Sequence, residues 1–158
     1  MGIFGKPNVD ELERKRDISS INQALKHDSK KIRSKAALAI ANLALIGIVD
    51  RSSIPLLNNA LQDNDEKVRW NTVLALNYLA EKNVADKSSI IPLNKLLQDN
   101  DRDIRFQAEI VLEKIKNALK KEAQVIGIVK CPKCGYENPI DSNYCIKCGN
   151  ELDFTRIY

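Results

Sequence analysis

Shifted by 36 residues, the sequence lands on itself, and lands on itself again at the next shift. Leu25 falls on Leu61 and Leu97, Ile32 on Val68 and Ile104, and Arg33 on Arg69 and Arg105. The register continues without a gap through Leu38, Leu74 and Ile110, through Ile40, Leu76 and Leu112, and through Leu43, Leu79 and Ile115. Between the later copies even the hinge matches, with Asp50-Arg51-Ser52-Ser53-Ile54 over Asp86-Lys87-Ser88-Ser89-Ile90. A fixed period of this length marks an array of supersecondary units, each of which must stack on its neighbour to bury its apolar face.

Each unit reads as two helices. The first is short, as in 54–62, with Ile54, Leu57 and Leu61 spaced by three and four. Ser52 or Ser53 is its expected N-cap, with Asp17 and Ser89 at the matching register. Pro55 and Pro92 fall in the first turn, where a missing N–H costs little. A polar turn follows (His27-Asp28-Ser29, Asp63-Asn64-Asp65, Asp99-Asn100-Asp101), rich in residues that end one helix and cap the next. The second helix is longer, roughly 66–81, and its stripe of Val68, Thr72, Ala75, Leu76 and Leu79 repeats as Ile32, Ala36, Ala39, Ile40 and Leu43. Asn8 to Lys15 carries a capping box, Asn8 with Glu11, and suits a terminal cap. Aromatic residues are only 5% of the chain, so Leu, Ile, Val and Ala must fill the core, which favours packed helices over strands.

The motif Leu-x-Asp-x-Asp-x-x-Val-Arg, present as 61–69 and, with Ile for Val, as 97–105, resembles the HEAT repeat, in particular the short units first known from phycobilisome lyases. The first copy departs from it at His27 and Ser29. The resemblance implies that Asp63, Asp99, Arg69 and Arg105 are structural and link neighbouring turns. Lyase activity does not carry over, because no residue marks a bilin site.

The tail reads Cys131-Pro-Lys-Cys134-Gly135, ten further residues, then Cys145-Ile-Lys-Cys148-Gly149. Two residues between paired cysteines let a tight turn aim both sulfurs at one ion, and glycine follows where positive φ is commonly needed. Two such knuckles supply the four soft ligands that zinc prefers. All four positions are then filled by protein, so the expected ion is one structural Zn2+ held by Cys131, Cys134, Cys145 and Cys148. Rubredoxin-like iron is the main rival, and disulfides fit poorly. The segment resembles the short zinc-ribbon module, in which Cys-Pro-x-Cys-Gly and Cys-x-x-Cys-Gly-x-x-Leu recur, here ending at Leu152. The β-branched run Val125 to Val129 suggests a strand entering it.

The expected architecture is therefore all-α: a solenoid of three HEAT-like helix pairs plus a small zinc ribbon of hairpin and knuckles. Residues 1–122 form the solenoid with its capping helix, in units near 17–51, 52–87 and 88–122, and residues 123–158 form the ribbon. Met1 to Pro7 has no apolar core of a secretory signal, and Lys6 stands where a myristoylation motif after Gly2 wants Ser or Thr. No run of about 18 apolar residues exists to span a bilayer, so a cytoplasmic protein with no membrane partner is expected.

Net charge is +4, and the first 36 residues alone hold nine Lys/Arg against five Asp/Glu. Lys30, Lys31, Arg33 and Lys35 cluster at a helix start, read by default as a solvated face and alternatively as a phosphate contact. His27, the one histidine, sits in a polar turn without the partners of a catalytic triad. Trp70 and Phe106 share a repeat position and either line a recognition surface or pack against an adjacent unit. No glycine-rich phosphate loop, paired-carboxylate signature or nucleophile–base set stands out. The sequence points to a non-catalytic adaptor that binds a protein partner. The alternative is a nucleic-acid binder using the zinc ribbon and the basic first repeat.

Overall fold

The computed structural model describes residues 6–139 and 142–152. The expectation on Gly2 lies outside the described residues. Packing divides the chain into two units, Met1–Ile115 and Lys116–Tyr158.

Among the described residues the first unit has helices and no strand: α1 (Val9–Lys15), α2 (Ile18–Ala24), α3 (Lys30–Leu45), α4 (Ile54–Ala60), α5 (Glu66–Glu81), α6 (Ile90–Leu96) and the start of α7 (Arg102–Ile126). Three short–long pairs make the expected all-α solenoid. The long-helix stripes are its core: Ile32, Ala36, Ala39, Ile40 and Leu43 on α3, Val68, Thr72, Ala75, Leu76 and Leu79 on α5, and Ile104, Ala108, Val111, Leu112 and Ile115 on α7 are all buried. Thr72 tolerates burial because its hydroxyl donates to the Val68 carbonyl one turn back.

Capping follows the sequence in part. Asp17 caps α2 by accepting from the Ser20 N–H, and Asn8 caps α1 by accepting from the Glu11 N–H. Glu11 does not complete the box; its carboxylate pairs with Lys15 at 2.7 Å. The serines expected to cap α4 and α6 do not do so. A 3-10 turn precedes each helix (Arg51–Ser53 and Lys87–Ser89), and Asp50 and Asp86 cap those turns by accepting from the N–H groups of Ser52 and Ser88.

Successive helix pairs are joined by two kinds of rung that repeat with the sequence period. Arg33 reaches forward to Asp63, with Nε–Oδ2 at 2.6 Å and Nη2–Oδ1 at 2.9 Å. Arg69 reaches Asp99 in the same way at 2.6 and 3.0 Å. Each arginine also donates from Nη1 to two carbonyls of its own turn, His27 and Asp28 or Asp63 and Asn64. The paired donors fix both the position and the plane of the guanidinium. On the short helices, the amides of Asn22 and Asn58 donate to the hydroxyls of Ser52 and Ser88. The implied linking role is thus an observed bonding pattern for Asp63, Asp99 and Arg69, whereas among the described residues Arg105 bonds only to carbonyls of its own turn.

Burial opposes ionisation of Asp63 and Asp99. Their arginine partners and the N–H groups of Asp65 and Asp101 nevertheless hold both carboxyls below the ordinary value of 3.8. A folded-state value depressed below the unfolded one stabilises the fold above the unfolded pKa, and the gain is lost as pH falls through the folded value. The urea midpoint of the solenoid is therefore expected to drop as pH falls below about 4, beyond the fall seen in an Asp63→Asn, Asp99→Asn variant. Equal acid sensitivity of the two proteins would contradict this.

In the second unit β1 (Ile128–Lys130) pairs antiparallel with β2 (Glu137–Pro139), Val129 opposite Asn138. Tyr144 and Glu151 form a further antiparallel bridge. The strand expected over Val125 to Val129 is shorter than its β-branched run, because Val125 and Ile126 belong to α7. Helix-favouring Lys and Glu upstream carry the helix through them, and β2 offers partners to only three residues. Among the described residues, no helix is long and apolar enough to cross a membrane.

Candidate metal centre

The two cysteine pairs lie on turns with one hydrogen-bond pattern. In the first, the Gly135 N–H donates to the Cys131 carbonyl and the Cys131 N–H to the Tyr136 carbonyl, both at 2.8 Å. In the second, Gly149 donates to Cys145 at 2.8 Å and Cys145 to Asn150 at 2.7 Å. Gly135 and Gly149 have φ of 71° and 68°, the left-handed region where a β-carbon is strained. Sequence reasoning placed glycine there for this purpose.

The turns bring the four sulfurs of Cys131, Cys134, Cys145 and Cys148 within 4.8 Å of one another. The Cys131–Cys148 and Cys134–Cys145 separations are both 3.6 Å. Four sulfurs at ~2.3 Å from a tetrahedral ion stand about 3.8 Å apart, so the cluster has the size of a thiolate cage. A disulfide needs sulfurs at about 2 Å, and all four cysteines are free. The residues present fit a tetrahedral, thiophilic ion, and filling four positions with protein sulfur leaves none for substrate.

Electrostatics say the same. Burial disfavours charge on Cys145, but the N–H groups of Cys148 and Lys147 aim at its sulfur and pull it down to about 6. The Tyr136 N–H favours a Cys134 thiolate, yet lost hydration and the sulfurs of Cys148, Cys145 and Cys131 push it up to about 12. Thiols this close resist ionising together until a cation stands between them.

The apolar centre of this module is small: Val129, Cys131, Cys145 and Leu152, with Cys148 against it. Two of its four fully buried members are ligand candidates. Asn138, which sequence reasoning missed, is the polar member of the same interior at 0% exposure. Its Oδ1 accepts from the Ile146 N–H at 2.8 Å, and its Nδ2 donates to the Tyr136 carbonyl at 2.8 Å and to the Cys145 sulfur at 3.6 Å. One amide thereby ties the first knuckle to the second and touches a ligand sulfur. Asn138→Ala is expected to weaken metal affinity about 10- to 100-fold, read by competition with a chromophoric chelator; a change under about threefold would contradict the assignment.

The other residues singled out in the sequence have structural occupations. The Nδ1 of His27 accepts the Ser29 N–H at 2.9 Å, as Asp63 accepts from Asp65 and Asp99 from Asp101. It replaces the turn-forming half of the aspartate and needs no charge, since among the described residues no arginine of an earlier unit reaches it. In the basic cluster, Lys30 pairs with Asp65 at 3.0 Å, Arg33 with Asp63 and Lys35 with Asp10 at 2.7 Å. Trp70 is half-buried and shares a surface hollow with Asp101, Asp103 and Ile104 of the following unit. Phe106, at the same repeat position, is 60% exposed.

Comparison with known proteins agrees with this geometry. A family model for HEAT repeats matches residues 18–113, and one for a zinc-ribbon domain matches residues 130–152. The solved structures that resemble the chain include an engineered protein, 23% identical with a TM-score of 0.55, covering 70% of this chain and 49% of the other. A second engineered protein is 24% identical with a TM-score of 0.56, over 69% of this chain and 50% of the other. A designed armadillo repeat protein is 20% identical with a TM-score of 0.54, over 68% of this chain and 50% of the other. The chain spans about half the length of each, and the likeness concerns the fold. No curated protein matches the sequence.

Proposed function

The chain belongs to the HEAT-repeat family and carries a zinc-ribbon segment, and on that premise we propose that it is a non-catalytic, cytoplasmic adaptor for another protein. One observation carries the reading: the motif's charged residues are spent on joining units, which yields a stiff array with free faces. The ribbon, held by one structural Zn2+ on Cys131, Cys134, Cys145 and Cys148, adds exposed Tyr136, Tyr144 and Ile146 as contact surface. Function thus resides in surface rather than in a reacting group.

Nucleic-acid binding is the second reading, favoured by a surface hollow of about 470 Å³ lined by Lys30, Lys31, Lys35 and Lys67 together with Ser34, Asp65 and Glu66. Two of those lysines are neutralised by Asp65 and Asp10, which weakens it. Affinity purification of the intact, metal-loaded chain decides between them. A protein retained after nuclease treatment supports the adaptor. Recovery of nucleic acid alone, with affinity falling steeply as salt rises, overturns it.

A further inference from the structure

The rungs are directional: each unit donates forward, from arginine to an aspartate and from asparagine to a serine hydroxyl of the next unit. The third unit keeps both donors. Arg105 sends Nη1 to the Asp99 and Asn100 carbonyls at 2.6 and 3.0 Å, as its counterparts do within their own turns. Its Nε and Nη2, the pair that grips a carboxylate in the earlier units, have no acceptor among the described residues, and neither has the exposed Asn94 amide, which follows Asn22 and Asn58. Phe106 stands beside Arg105 with 60% of its surface exposed, where Trp70 is half-buried against the next unit. The carbonyl bonds already orient the Arg105 fork, so a carboxylate would meet a preset receptor.

We infer that this end of the solenoid, at Asn94, Arg105 and Phe106, docks a helical hairpin of a different protein, one that offers a hydroxyl and, eleven residues later, a carboxylate in the turn that leads into the following helix. Ser52 with Asp63 and Ser88 with Asp99 have this spacing and meet these donors inside the array. A second copy of the chain does not qualify. Its first unit has Arg16 and His27 at the two acceptor positions, and α1 is bonded to that unit through Asp10 to Lys35 and Glu13 to Asn42. Two copies meeting end to end would oppose Arg105 to Arg105. The inference rests on the adaptor reading and names the surface and the partner's chemistry.

The test uses the intact, metal-loaded chain and a defined probe: a copy lacking residues 1–15 and carrying Arg16→Ser, His27→Asp and Arg105→Glu. The probe presents the required hydroxyl and carboxylate on an uncovered end, and the last substitution prevents it from stacking on itself. Calorimetry is expected to show one-to-one association, weakened about 100-fold or more by Arg105→Glu in the intact chain and about five- to tenfold by Asn94→Ala. A folded probe that fails to bind overturns the inference, whether the face is filled by the chain's own ribbon or by nothing. Binding indifferent to Arg105→Glu does the same, and self-association of the intact chain that Arg105→Glu abolishes assigns the face to a second copy. Should the probe lack helical circular dichroism, native protein partners of the intact chain decide: their loss on Arg105→Glu, with retention on Lys30→Ala, supports the end face. Partners retained on Arg105→Glu overturn the end face and leave the adaptor standing, whereas the absence of any protein partner removes both.

Discussion

Asp99→Ala is expected to cost the solenoid about 3–5 kcal/mol of unfolding free energy, the range for breaking one side of a buried ion pair. The Asp99 carboxylate is only 5% exposed and accepts from both Nε and Nη2 of Arg69 and from the Asp101 N–H. Removing it abandons a guanidinium that is itself largely shielded, so the loss includes the desolvation of the partner left behind. The effect should exceed that of Asp63→Ala, whose pair is more exposed on both sides. Arg105→Ala is expected to cost about 1 kcal/mol, since only carbonyl bonds are lost. Because this rung joins the second and third units, the urea transition followed by circular dichroism should also broaden as the third unit melts separately. A loss below about 0.5 kcal/mol would show that the rung follows from helix packing rather than supporting it.

The second large effect concerns metal. Stripping the protein with a chelator, or making Cys145→Ser, is expected to unfold residues 128–152 while most of the helical signal survives. An interior of Val129, Leu152 and two cysteines is too small to fold such a module, and structural zinc typically contributes about 10–16 kcal/mol of binding free energy to a site of this kind. Backbone amide resonances of the ribbon should collapse to unfolded positions on chelation and return on adding zinc. Retention of the dispersed resonances in metal-free protein, or less than about half an equivalent of metal in reduced protein, would remove the metal from the account.

Periodicity made most of the helices legible. The 36-residue register located α5 at its observed bounds and assigned the buried stripes, because the same stacking problem is solved three times and chance matches average out. Features that the period repeats without interpreting, or does not reach, were harder. Asp50 and Asp86 cap 3-10 turns two residues before Ser52 and Ser88 and three before Ser53 and Ser89, and a cap differs from its neighbour by backbone angle rather than residue type. The end of α7 lies in a single-copy stretch where helix-favouring and strand-favouring residues adjoin. In the ribbon, the cysteine spacing disclosed the ligand set, while Asn138 lay hidden in the spacer. Its only outward sign is an amide between Glu137 and Pro139, and its value comes from a contact across the module to Ile146.

His27 stands in the first described unit where the later units have aspartate. With an imidazole there, that turn closes without a negative charge, and among the described residues no arginine of an earlier unit reaches it. Every unit added after it brings one aspartate to the rung behind and one arginine to the rung ahead, so each new joint is electrically neutral as it forms. Such an array can lengthen by duplication of a whole period without accumulating charge or stranding a buried ion, and the unit bounded by Ser52 and Lys87 is the cassette that chain growth, natural or engineered, would copy.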